Sequence, residues 1–339
     1  MMAANGIDGR WLADLPKVEL HVHLEGSIPS AALLALADKY GAKLPRPIDK
    51  LYEFDGLKPF LEFLDWICGL IRTGEELEGI AYEVARRLSE QRVSYAEIIV
   101  NPTHWHEHWT VERLVSSLIA GFERAADEGL ADCSLLLSLL RTQSGEAAEE
   151  LVDWMIANRN PRIAGLSIDG NEQAAGRTGP RFAKAFAKAK AAGFFTTAHA
   201  GESSGPEGVR DALDLLVVDR IDHGVRAAED PDLIIRLANE GIPLNVCLTS
   251  NLVLLYPSID DHPLRRLLEA GVRVTVNTDD PELLGISLTS EWEKIGSLCE
   301  WTREHAVSAS RHAIDAAFCD DRRKRVLHEQ LTAFLNRTS

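Results

Sequence analysis

The chain has little positive charge to offer. Its 36 lysines and arginines face 52 aspartates and glutamates, for a formal net charge of -16 over 339 residues. That excess argues against a nucleic-acid partner, because phosphate binding needs a basic footprint. It argues against an anionic membrane surface for the same reason. Cysteine is scarce: Cys68, Cys133, Cys247, Cys299 and Cys319 are odd in number, scattered, and form no C-x-x-C pair. They read as free thiols of a reducing cytoplasm rather than as a disulfide framework or a zinc ribbon. Long apolar runs are missing; "CSLLLSLL" is far too short to span a bilayer. The stretch "MMAANGIDGRW" has neither the basic nor the apolar region of a secretory signal. A cytoplasmic protein is expected. With no internal repeat, low-complexity segment or Gly/Ser linker, one domain over 1–339 is the simplest organisation.

What is there is alternation. Hydrophobic residues make up 45% of the chain, enough for a sizeable core. Short apolar or β-branched runs predict strands at 18–23, 94–100, 133–140, 163–168, 194–199, 219–223, 242–247 and 272–278. Helical patterns such as "PRFAKAFAKAKAAG" and "PDLIIRLANEG" separate them, the latter ending on Gly241 as a C-cap. Eight strands alternating with helices predict an α/β fold, a (β/α)8 TIM barrel. The stretch 29–92 is too long for one crossover helix and is expected to lay three or more helices over one end. The tail 303–337 reads as two further helices.

In such barrels the reacting groups sit at the C-terminal strand ends. Here those ends carry His21 and His23, then "DGNE" (Asp169–Glu172), "HAGE" (His199–Glu202), "DHG" (Asp222–Gly224) and "NTDDP" (Asn277–Pro281). His21 and His23 are two apart on a strand and so share a face. Alone, they are as readily two histidines on a solvated face. With His199 and Asp279 at other strand ends, three imidazoles and one carboxylate suit a zinc ion, and a water completing the shell would ionise near neutral pH. The fourth strand region, "RIAGLSIDG", has no lysine to bridge a metal pair, so one zinc per chain is expected. Glu202 is placed to donate a proton if partly desolvated; alone it would read as a glutamate favoured at a helix N-terminus. His223 could orient or deprotonate the water, or be a core histidine bonded to backbone. Asp280 points away from Asp279 and could bind substrate, unless the pair is only a solvated turn before Pro281. "THWHEHW" places His104, His106 and His108 after the second strand, without a matching set of carboxylates. It is expected to pack, with His104 near the cleft.

"LPKVELHVHLEG", "HAGE", "RIDHG" and "VNTDDP", in this order over about residues 15–300, resemble the adenosine deaminase family of the amidohydrolase superfamily. The resemblance implies zinc-dependent hydrolytic deamination of a small 6-aminopurine. It implies zinc ligands His21, His23, His199 and Asp279, with His23 also at the substrate. Glu202 would protonate purine N1, His223 would position the attacking water and help take its proton, Asp280 would bond N7, and the Gly170 N–H would face N3. Two positions depart from the pattern. Nucleoside-specific members read H-L-D-G, and that Asp contacts ribose; here Glu25 stands in its place, as in relatives acting on free adenine. "NVCLTSN" has Leu248 where many relatives have proline, a change expected to affect packing. "DGNE", in contrast, is nearer the nucleoside-type G-D-E. Adenosine or 2′-deoxyadenosine is the first expected substrate. Free adenine, a modified adenine or aminodeoxyfutalosine is the alternative. A barrel that binds metal without catalysis, or an ester or lactone hydrolase, would lack a use for Glu202, His223, Gly170 and Asp280 together.

Overall fold

The structure is a computed structural model and describes residues 7–105 and 108–338. Eight parallel strands form one sheet in sequential order. They are β1 (Lys17–His23), β2 (Val93–Val100), β3 (Asp132–Leu140), β4 (Ile163–Asp169), β5 (Phe195–Ala200), β6 (Arg220–His223), β7 (Leu244–Val246) and β8 (Val274–Val276). All eight fall where the apolar runs placed them. Helices surround the sheet in an α/β barrel. β1 is buried along nearly its whole length, as expected when a strand has the barrel interior on one face and helices on the other.

The barrel closes between β8 and β1 by an unusual device. Beyond Val276, the Asn277 side chain takes over the ladder. Its Oδ1 accepts from the Leu20 and His21 amides at 2.8 and 3.1 Å. A single bridge then joins Val22 to Asp279, with the His23 N–H on the Asp279 carbonyl (2.7 Å) and the Asp279 N–H on the His21 carbonyl (3.1 Å). This register sets Asp279 beside both histidines of β1.

Between β1 and β2 the chain forms three helices, Ser30–Lys39, Leu57–Leu70 and Gly74–Glu90. The last opens on a capping box between Thr73 and Glu76. The Leu57–Leu70 helix lies over the C-terminal mouth, where Phe60, Leu61 and Leu64 roof the central cavity. The tail forms the two expected helices, Arg303–Ala316 and Asp321–Thr338. The Pro231–Glu240 helix ends on left-handed Gly241, φ +66°. Leu248 is buried at the first position of the Leu248–Leu254 helix, where proline is also well accommodated. A short helix at Gly9–Asp14 was not anticipated. All five cysteines are free thiols. Among the described residues, no helix is long and apolar enough to cross a membrane.

Candidate active site

The strand ends converge as the motifs predict. His23 Nε2 lies 3.1 Å from His199 Nε2 and 3.4 Å from Asp279 Oδ1, and His21 Nε2 lies 3.2 Å from the same oxygen. Donors about 2.0–2.1 Å from a shared tetrahedral zinc stand about 3.3 Å apart, so these spacings fit the edges of one coordination shell. Ring orientation fits as well. His199 Nδ1 meets the Ile168 carbonyl at 2.9 Å, and a carbonyl only accepts. The proton is therefore on Nδ1, and the Nε2 lone pair faces inward. His21 Nδ1 lies 3.1 Å from Asp222 Oδ1, the carboxylate–histidine pairing that orients metal ligands. Asp222 is itself held by Asn245 Nδ2 at 2.7 Å.

Charge points the same way. Asp222, Asp279, Asp280, Glu202 and Glu172 are all buried here, against two buried guanidiniums, Arg141 and Arg220. Burial works against ionising Asp279, but His21, His223 and His23 hold it well below the usual carboxylate range. Burial likewise opposes an ionised Asp222, yet His21 keeps it low. Burial lowers His23 and, more strongly, His199, leaving the neutral form that ligates. Of the three strand-end histidines His21, His23 and His199, His21 is the one raised, to about 10, because Asp222 and Asp279 outweigh its burial. A buried cluster this rich in carboxylates is a fitting site for a cation.

His223 is a fifth group in the same space. With His21, His199 and Asp279 it offers atoms all within 4.8 Å of one another. The sequence reading gave it to the water and not to the metal. Both His223 (φ +62°) and Asp279 (φ +68°) have left-handed backbone, each costing about 1–3 kcal/mol. Hydrogen bonds to β1 hold Asp279 in place, and the Gly224 N–H on the Ala200 carbonyl (3.0 Å) anchors the chain after His223.

Glu202, Asp280, Gly170 and Glu25 line the cavity with His23, His199 and His223. Burial, then Asp279 and Glu172, raises the Glu202 carboxyl to about 8, so it is protonated at neutral pH. Burial and Asp279 also raise Asp280 well above the usual range. Gly26 makes room for Asp280: a Cβ there would sit 1.8 Å from Asp280 Oδ1. Gly170 adopts φ +93°, open to glycine. Glu25 is buried, and its Oε1 accepts from Trp105 Nε1 at 2.7 Å and from the Asn101 amide at 3.3 Å. His104 also lines the cavity and meets Asp65 of the roofing helix at 2.6 Å. Burial would lower it, but Asp65, Asp169 and Glu25 raise it to about 9. His106 lies outside the described residues.

A family model for adenosine deaminase matches residues 16–334. The chain belongs to the adenosine deaminase family. It is accordingly a hydrolase of the amidohydrolase type. It is 36% identical over 333 residues to an adenine deaminase of Rhodospirillum rubrum, covering 96% of this chain and 99% of that one. The crystal structure of an adenine deaminase from Arthrobacter aurescens superposes with a TM-score of 0.88 at 30% identity, covering 95% of this chain and 99% of that one. A Burkholderia ambifaria amidohydrolase with bound zinc gives a TM-score of 0.88 at 31% identity, covering 99% of this chain and 95% of that one.

Several residues that build this family site escaped the sequence reading. Glu172 was noted only as part of "DGNE". Its Oε2 accepts the amides of Glu202 (2.8 Å), Ser203 (3.0 Å) and Ser204 (3.2 Å). Its Oε1 accepts the Gly201 amide (3.1 Å) and the Ser204 hydroxyl (2.8 Å). One carboxylate thus holds the loop that carries Glu202. Arg141, 3.8 Å from Glu172, donates to the carbonyls of Gly170 and His199. Ser250 donates to Asp279 Oδ2 at 2.6 Å. Asp222 had a usable signal: it sits two residues after Arg220 on β6 and so shares the inward face.

Proposed function

We propose that the protein hydrolyses free adenine to hypoxanthine and ammonia. The observation that carries this reading is Glu25. It stands where nucleoside-specific relatives have a ribose-contacting aspartate, is one methylene longer, and is tied to Trp105 and Asn101. Phe60, Leu61 and Leu64 line the same cavity and give its roof an apolar surface, which offers a sugar's hydroxyls no partner on that side. The similarity to proteins named adenine deaminase supports the same choice. It displaces adenosine, the substrate that sequence motifs alone placed first.

His21, His23, His199 and Asp279 are the residues that would hold zinc, which when bound lowers the pKa of a water toward neutrality. The chain's own groups do the rest. Glu202, protonated at neutral pH, donates to N1 and draws electron density from C6. Asp280, its carboxyl pushed up by burial and by Asp279, donates to N7 in its acid form, and the Gly170 amide faces N3. His223 orients the attacking water. Glu202, ionised once N1 is protonated, takes the proton that the attacking water loses as the C6–O bond forms and passes it to N6; the C6–N6 bond breaks, ammonia leaves, and the remaining hydroxyl proton returns to Glu202 as the C6 carbonyl forms. The roofing helix keeps bulk water away.

A substrate panel tests this, followed by loss of the adenine chromophore and by ammonia release. It comprises adenine, adenosine, 2′-deoxyadenosine, N6-substituted adenines and aminodeoxyfutalosine. Adenine is expected to turn over fastest. Fast adenosine turnover with adenine inert would overturn the reading.

A further inference from the structure

His223 poses a problem of proton placement. Its ring is fully buried, and its Nε2 has no hydrogen-bonding partner in the protein. That nitrogen lies 3.7 Å from Glu202 Oε1 and 3.9 Å from Asp279 Oδ2, facing the reacting centre. A neutral imidazole presents either a lone pair or an N–H. A lone pair would make His223 a further metal ligand or a base; an N–H makes it a donor. The bond to the other nitrogen decides.

That bond is the end of a directional chain. It starts at a backbone amide, whose role is never ambiguous. The Leu264 N–H donates to His262 Nδ1 at 3.2 Å. His262 is buried and neutral, lowered to about 4 by burial, so its proton is on Nε2. That Nε2–H donates to Asn251 Oδ1 at 3.2 Å. The Asn251 amide nitrogen is thereby turned to His223, 3.2 Å from its Nδ1. An amide nitrogen only donates, so Nδ1 accepts and the His223 proton is on Nε2.

We propose that Asn251 and His262 are positioning residues that set the tautomer of His223, presenting Nε2–H to the attacking oxygen. The proposal deepens the deaminase reading above and rests on it for the identity of that oxygen. It explains why a histidine within the metal cluster is withheld from the metal: no lone pair faces inward. On this proposal Nε2 of His223 is a donor and not the base that the family resemblance implies, since a nitrogen that already carries its proton cannot take another. As a fixed donor, His223 stabilises the charged nucleophile and the oxygen that bonds to C6, with no reorganisation during the reaction. The remote end is braced by Tyr256, packed edge-on to His262 with ring centroids 5.0 Å apart.

The test is nitrogen NMR on the zinc-loaded enzyme labelled with 15N-histidine, with the His223 signals identified by their loss in His223→Gln. Wild type is expected to show a protonated Nε2 and an unprotonated Nδ1. Asn251→Asp keeps the shape but replaces the donor by an acceptor. It is expected to move the proton to Nδ1 and to lower kcat about 100-fold while KM changes less than about threefold. His262→Leu should also lower kcat. His262→Gln, which can accept from Leu264 and donate to Asn251, should restore it to within about fivefold of wild type. A wild-type His223 protonated on Nδ1 overturns the proposal, and that reading needs no variant to fold. So does an Asn251→Asp enzyme with an unmoved tautomer, or a His262→Gln enzyme as impaired as His262→Leu. Because the spectrum is taken without substrate, it stands apart from the substrate panel: a different best substrate would leave the tautomer result untouched.

Discussion

Replacing Glu172 by glutamine removes one charge and almost no volume, yet it should disable the loop that carries Glu202. The carboxylate accepts four backbone amides and one hydroxyl. A glutamine has one acceptor oxygen. Its better orientation keeps oxygen at the Oε2 position, serving Glu202, Ser203 and Ser204. The new NH2 then faces the Gly201 amide, donor against donor. A buried donor left unmet costs about 1–3 kcal/mol. Arg141, buried 3.8 Å away, also loses its counter-charge, and breaking a buried pair costs about 3–5 kcal/mol. These losses overlap, so about 3–5 kcal/mol in total is expected. At about 2 cal/mol/K per residue of unfolding entropy, that lowers Tm by about 4–7 °C. Catalysis should suffer more than stability, because Glu202 hangs from this carboxylate through its own amide at 2.8 Å. Displacement of about 1 Å costs on the order of 100-fold. Steady-state deamination and a thermal melt on the same zinc-loaded sample read both effects. A Glu172→Gln enzyme with kcat within twofold of wild type and an unchanged Tm would refute the reasoning.

Four further outcomes are expected. Glu202→Gln should fold normally, bind zinc and lose on the order of 1,000-fold in kcat, since the amide cannot deliver a proton to N1. In the wild type the donor form exists below the raised pKa of about 8, so kcat/KM should fall as pH rises through that value; a profile flat to pH 10 would count against Glu202 as the acid. Gly26→Ala drives a Cβ to 1.8 Å from Asp280 Oδ1 and should cut kcat/KM about 100-fold with zinc content unchanged, read by metal analysis beside kinetics. Chelation should abolish activity, and one equivalent of zinc per chain should restore it; a requirement for two would contradict the single shell of His21, His23, His199 and Asp279.

Much of the fold was legible because each strand announces itself, and most do so twice. It is a short apolar run, and in five of the eight cases it ends on chemistry-bearing residues. β7 and β8 were read too long. Pro243 has no N–H for the start of β7, and the Asn277 side chain replaces the backbone ladder after Val276. The convergence of the strand-end histidines and Asp279 was legible for a related reason. Two-residue spacing on β1 and the strand-end rule of barrels together place His21, His23, His199 and Asp279 around one point. What stayed hidden has no local signature. Glu172 reaches across to the β5 loop, Trp105 reaches back 80 positions to Glu25, and His262 acts on His223 only through Asn251. Each pairing is made by the barrel bringing separate strand ends together, and nothing in the neighbouring sequence marks it. Glu25 is legible in the sequence as a departure from the nucleoside-type aspartate; the Trp105 contact that fixes it is not.

Substrate choice is read most directly by competition. Equimolar adenine and adenosine offered together to the zinc-loaded enzyme give the ratio of their kcat/KM values directly, from hypoxanthine and inosine formed at early times. A cavity lined by Glu25 under an apolar roof predicts hypoxanthine in excess by about 100-fold or more, since a ribose would have to displace the Glu25–Trp105 contact and strip a buried carboxylate of its partners. Inosine as the major product would contradict the account.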